Sequence, residues 1–179
     1  MCDTLYVPAY ASRTGNVHPE SIAFLREKIL SPLIHGEKEG PKCVYLSRRD
    51  STNRHIANES EIEDFLQERG FEIIVPGHLS LAEQIRAVAH AEVIVLTHGA
   101  AIANLVFAPK EAHVVEILTK FHTAALSITS ELGQRYSYVL PEQIQSEFSK
   151  NFGLHYMHNK LEFIQPLRDL SLVLDSIID

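Results

Sequence analysis

A chain of 179 residues with 45% hydrophobic residues can bury its own core, and a formal net charge of −7 excludes a general nucleic-acid binder, which needs a basic face. No apolar run approaches the ~18 to 20 residues of a membrane span, and Met1-Cys2-Asp3-Thr4-Leu5 lacks the basic-then-apolar order of a secretory signal, so a soluble, cytoplasmic protein is expected. The two cysteines, Cys2 and Cys43, have neither metal-knuckle nor redox spacing, and Cys43 is expected as a buried free thiol at the start of a strand.

Residues 6–16 read as irregular chain, and His18-Pro19-Glu20-Ser21 opens a helix running to about Leu30, before Pro32. The stretch 35–42, rich in Gly, Pro and charge, is a surface connector. Strand-like runs follow at 43–47, 72–75, 92–96, 113–117 and 136–140. Helical patterns separate them. Residues 60–69 carry Ile62, Phe65 and Leu66 on one face, with Asn58 or Ser60 as start and Gly70 as stop; residues 80–89 open with the capping box Ser80-Leu81-Ala82-Glu83. Shorter patterns cover 100–107 and 124–132, and 166–178 returns as an amphipathic helix. Strands alternating with helices at this spacing predict an α/β fold, a Rossmann-like doubly wound parallel sheet. Residues 1–34 then form an irregular segment and helix leading into one domain, 35–179, that ends in the C-terminal helix.

The junction after the third apolar run is the most informative segment. Thr97-His98-Gly99-Ala100-Ala101 takes the chain from a buried strand into a helix through a turn of small residues. The first N–H groups of a helix are unpaired and lie at the positive end of its dipole, and Gly99, Ala100 and Ala101 carry no bulk to keep a ligand away. This is an anion seat suited to phosphate. Ligands of open α/β sheets sit at the carboxyl ends of the strands, so Arg48 and Arg49, which follow the strand at 43–47, should emerge on the same rim. Arginine's planar fork holds phosphate through paired hydrogen bonds, although one of Arg48, Arg49 and Arg54 should pair internally with a neighbouring acid.

Glu116, at the end of the run His113-Val114-Val115, should point to the same crevice, where it either accepts ribose hydroxyls or serves as a helix cap or a partner of Arg48. Asn104 should face inward for core hydrogen bonding. His98 could donate to a phosphate, act as an acid toward a leaving group, or pack against the turn. The ten histidines show no convincing metal set; His155 and His158 share a helical spacing but no carboxylate or cysteine completes them. A Walker A loop, a Gly-x-Gly-x-x-Gly turn and a Gly-x-Ser-x-Gly elbow are all missing, which removes the kinase, dehydrogenase and hydrolase readings.

Ser47-Arg48-Arg49, Arg54 to Glu59, Leu81-Ala82-Glu83-Gln84-Ile85, Thr97 to Asn104 and Val115-Glu116-Ile117 together resemble the core of glycosyltransferase family 61, over about Pro8 to Ile117. The family includes plant xylan-decorating enzymes, animal O-linked N-acetylglucosaminyltransferases and bacterial capsule or exopolysaccharide proteins. The resemblance implies the C-terminal, donor-binding domain of a GT-B enzyme. It implies a nucleotide-sugar donor, usually a UDP-sugar, with inverting transfer to a hydroxyl acceptor and no bound metal or other cofactor. By the same resemblance Arg48 binds the diphosphate, His98, Gly99 and Ala100 supply helix-terminal donors, Glu116 lies near the nucleotide, and Asn58, Glu59 and Gln84 brace the site. The chain contains no Asp-x-Asp pair, in keeping with a metal-independent route. A GT-B enzyme needs two domains of ~100–200 residues each, so an N-terminal acceptor domain or partner subunit is expected. The rival readings are a noncatalytic assembly module of a polysaccharide-synthesis system, able to homodimerise through an exposed apolar face, and a sugar-nucleotide epimerase.

Overall fold

The computed structural model describes residues 16–36, 39–52, 56–119, 122–142 and 163–178. Five strands form one all-parallel sheet: β1 (Cys43–Leu46), β2 (Glu72–Ile74), β3 (Val93–Thr97), β4 (His113–Ile117) and β5 (Arg135–Val139). Their spatial order is β2-β1-β3-β4-β5. The chain steps outward from β1 to β2, then returns to the other side of β1 to lay down β3, so the winding reverses between β1 and β3. In a doubly wound sheet that reversal opens a crevice at the carboxyl ends of the two strands.

Helices cover both faces, because strands buried on both sides have apolar residues at odd and even positions alike. Val44, Leu46, Ile94, Leu96 and Val114 face a core shared with α1 (Pro19–Leu25), α4 (Leu81–Val88), the helix Ala100–Phe107 and α5 (Ala124–Leu132). Tyr45, Val93, Val95, Val115 and Ile117 face the other core, under Ile62 and Leu66 of α3 (Glu59–Gln67) and Leu170 and Leu174 of α6 (Leu167–Ile178). Ile22 and Leu30 from the N-terminal helical segment join the first core.

The expected strands, and most helices, are found within a residue or two. The Ser80–Glu83 capping box is formed in both directions, and Gly70 and Gly133 follow α3 and α5 in left-handed conformations, with φ of 80° and 73°. Four details depart from expectation. The first helix does not stop before Pro32: it widens into a π turn at Arg26–Leu30 and continues through α2 (Ser31–Leu33). Proline gives no N–H and its ring crowds a carbonyl one turn back; the wider turn, closed by Ser31 N–H to Arg26 O, accommodates it. The segment Ala100–Phe107 is a 3-10 helix. Asn58 stands at the N-cap of α3 but its side chain makes no cap there. Cys43 is a free thiol that is half-buried, and its burial pushes the thiol pKa up. The chain around Arg54, His155 and His158 lies outside the described residues.

Candidate functional site

The loop leaving β1 carries Arg48, and its course is set by one buried carboxylate. Glu59, the first residue of α3, is only 6% exposed. Its Oε1 accepts from the Tyr45 hydroxyl at 2.9 Å and from the Arg48 backbone N–H at 3.0 Å, and the Ser47 hydroxyl lies 2.8 Å away. An acid in the first turn of a helix also meets the positive end of the dipole. Burial, with Glu59 alongside, pushes the Tyr45 phenol well above its ordinary range, so it stays protonated and donates. Ser47 Oγ is also 2.7 Å from Glu63 Oε1 and accepts from the Arg49 N–H at 3.2 Å. The start of the loop is therefore pinned on the α3 side before the Arg48 side chain departs.

That side chain crosses to the turn after β3. A Cβ placed on Gly99 would fall on Arg48 Nη1 and 2.7 Å from Cζ, so the guanidinium lies in the space a side chain at 99 would need. Gly99 is extended, with φ 171°, so what its lack of a side chain provides is close approach rather than an unusual backbone. Arg48 Nη2 donates to Ser51 Oγ at 2.7 Å. The first backbone bond of the following 3-10 helix runs from Ile102 N–H to Gly99 O at 3.2 Å. The N–H groups of Gly99, Ala100 and Ala101 therefore find no acceptor within that helix. A guanidinium and a helix N-terminus meet at the crevice between β1 and β3.

The helix is braced from behind. Asn104, buried at 5% exposure, donates to Gln84 Oε1 at 3.1 Å, while the Gln84 amide donates to Pro76 O at 2.9 Å and Leu79 O at 3.1 Å. These bonds tie the 3-10 helix to α4 and to the turn after β2. Neither side chain stands at the rim; both hold the element that does.

Glu116 is fully buried on β4. Its Oε1 lies 2.7 Å from His98 Nδ1, and its Oε2 accepts from the Tyr136 hydroxyl at 2.5 Å. Both carboxylate oxygens are thus engaged by protein, which offsets the cost of burying the charge. Of the roles open to Glu116 from sequence, neither the Arg48 pair nor a helix cap is formed. Burial, and after it Glu116, pushes the Tyr136 phenol far up, so it too remains a donor. The His98 ring packs 5.5 Å from the His122 ring at an angle of 52°.

Two expected site residues turn elsewhere. Arg49 Nη1 pairs with Glu63 Oε2 at 2.8 Å on an exposed edge, the internal pairing foreseen for one of the arginines. Asn58 donates to Gln165 O at 2.9 Å and accepts from Gln165 N–H at 3.1 Å, fastening the chain that leads into α6. Tyr45, Ser51 and Tyr136 were not legible as site residues: a tyrosine on an alternating strand looks like core, and a serine in a polar loop looks like solvent. Among the described residues no group of three His, Cys, Asp or Glu side chains could hold a metal ion, and no helix is long and apolar enough to cross a membrane.

The fold is an all-parallel α/β sheet whose β1–β3 rim carries a guanidinium beside a helix N-terminus. The sequence model of the family Glycosyltransferase 61 matches residues 1–115, more than half of the chain, and the protein belongs to that family. No curated protein sequence matches it significantly. The matched range holds β1, β3, Arg48, Glu59, Gln84 and His98 to Asn104; Glu116 falls just beyond it, and Tyr136 lies on the next strand outside it.

Proposed function

We propose that the chain is the donor-binding half of a glycosyltransferase, taking a UDP-sugar or similar nucleotide-sugar in the β1–β3 crevice for inverting, metal-independent transfer to a hydroxyl acceptor. The observation that carries this reading is the Arg48 guanidinium seated on Gly99, beside the N–H groups at the start of the 3-10 helix. Negative charge grows on a nucleoside diphosphate as it leaves a sugar. A fixed guanidinium and oriented N–H groups stabilise that charge without a metal because they are already aimed when it develops. Glu59, Gln84 and Asn104 hold these donors in place from outside the crevice. The acceptor hydroxyl and the base that deprotonates it belong to a second domain or partner subunit facing this rim.

Calorimetric titration with UDP, using ADP and GDP as controls, tests the reading. UDP should bind, and Arg48→Ala should weaken binding roughly 30-fold, the equivalent of about 2 kcal/mol for a charge-assisted contact. A folded chain that binds no nucleotide, yet associates with itself, would favour the noncatalytic assembly module.

A further inference from the structure

His98, Glu116 and Tyr136 lie on three adjacent strands or their ends, on one face of the sheet. The register pairs Leu96 with Glu116 and Val114 with Tyr136. His98, two residues beyond Leu96, keeps its parity. The three side chains therefore step diagonally across β3, β4 and β5, and their polar atoms join end to end, Tyr136 Oη to Glu116 Oε2 at 2.5 Å and Glu116 Oε1 to His98 Nδ1 at 2.7 Å.

We infer that Tyr136 is a positioning residue which, acting through Glu116, fixes His98 as the Nδ1–H tautomer and leaves Nε2 a hydrogen-bond acceptor for a ligand hydroxyl. A carboxylate only accepts, so a neutral imidazole bonded to it through Nδ1 must carry its proton there, and Nε2 is left with a lone pair. Among the described residues Nε2 takes no hydrogen bond. A neutral His98 of this form cannot donate to phosphate from Nε2; it accepts from an O–H, which a nucleotide-sugar carries on its ribose and on its sugar. The functional meaning rests on the transferase reading, whereas the tautomer is a property of the free protein.

The role of Tyr136 becomes visible when the carboxylate is replaced by an amide. In Glu116→Gln the protonated Tyr136 hydroxyl keeps the amide oxygen, which turns the NH2 group toward His98, and Nδ1 must then accept. The tautomer inverts to Nε2–H. In Glu116→Gln/Tyr136→Phe the amide is released to turn either way, and both tautomers should be populated.

Long-range 1H–15N spectra of the imidazoles at pH 8, with the His98 signals assigned from their loss in His98→Gln, read this directly. The expected results are Nδ1–H in the wild type, Nε2–H in the single amide variant and a several-fold shift back toward Nδ1–H in the double variant. Should the amide variants fail to fold, Tyr136→Phe alone should speed exchange of the His98 Nδ1–H proton about tenfold by loosening its acceptor. An Nε2–H tautomer or an imidazolium in the wild type would overturn the inference, as would equal tautomer ratios in the two amide variants, or an unchanged exchange rate in Tyr136→Phe. No ligand is present in these measurements, so absence of UDP binding would sink the transferase reading and leave the tautomer result standing. A correct tautomer with UDP binding unaffected by Tyr136→Phe and Glu116→Gln would remove the link between them.

Discussion

Two buried carboxylates stand near the carboxyl rim on opposite faces of the sheet, and they differ in the kind of partner they hold. Glu59 gathers a phenol, a hydroxyl and a backbone N–H, and the onward contacts of the first two stay within the protein, Tyr45 Oη with Thr97 Oγ1 at 3.4 Å and Ser47 Oγ with Glu63 Oε1 and the Arg49 N–H. Glu116 gathers a phenol and an imidazole, and the imidazole has a second nitrogen one ring-width away. The first carboxylate can only brace a loop. The second passes an orientation through its partner, so the same chemical group, similarly buried, serves shape in one place and protonation geometry in the other.

Truncation should separate the two most sharply. Glu59→Ala removes the acceptor of the Tyr45 hydroxyl and of the Arg48 N–H, while Ser47 keeps Glu63, and weakening the bonding of two such donors costs about 3 kcal/mol of folding stability. Glu116→Ala strips one hydrogen bond each from Tyr136, which is only half-buried, and from His98, and should cost nearer 2 kcal/mol. Urea denaturation checks the order. If Glu116→Ala proved the more destabilising, the assignment of Glu59 as the structural carboxylate would fail.

Both carboxylates share one feature, a protonated phenol, and alkaline pH attacks both. Tyr45 and Tyr136 are each raised above the ordinary phenol range, Tyr45 chiefly by burial and then by Glu59, Tyr136 by burial and then by Glu116. The folded chain therefore keeps protons that the unfolded chain gives up. Stability is full below about pH 10 and falls as pH rises beyond it, because the unfolded state then binds fewer protons. Urea midpoints measured from pH 9 upward should decline more steeply in the wild type than in Tyr45→Phe or Tyr136→Phe. Equal slopes would mean that neither phenol is held in its neutral form by the fold.

The rim itself can be probed without touching either carboxylate. Gly99→Ala places a methyl group where the guanidinium lies, and because the clash is with the far end of a long side chain rather than with backbone, the guanidinium should be displaced and the fold should survive. UDP affinity should drop about tenfold, or about 1.4 kcal/mol, with little change in melting temperature. A Gly99→Ala protein that binds UDP normally would show that the seat of Arg48 on the turn is incidental to ligand capture.

Much of this was legible from the residues. The alternation of apolar runs and capped helical patterns carried the parallel sheet, and small residues after a buried strand marked the turn at Gly99. The carboxyl-end rule put Arg48 and that turn on one rim. What the residues could not carry was pairing across the sheet. Glu116 and Tyr136 are 20 residues apart and meet only because β4 and β5 align Val114 with Tyr136, a register set by the whole sheet. The 3-10 form of Ala100–Phe107 was hidden for another reason: its apolar residues satisfy either helical period over so short a span.

Arg48 and Arg49 are adjacent, identical in type and both plausible phosphate ligands from sequence, so the finest discrimination falls between them. Successive residues leaving a strand point to opposite sides, and only one of the two can turn toward Gly99. Arg49 goes to Glu63, where its side chain remains 54% exposed. An ion pair so open to water contributes little, so Arg49→Ala should change stability by less than about 0.5 kcal/mol. Calorimetry should find UDP affinity within about twofold of the wild type, against the roughly 30-fold loss expected for Arg48→Ala. If the two substitutions weakened UDP equally, the binding would be governed by the overall positive charge of the loop, and the particular seat of Arg48 on Gly99 would have no special part in it.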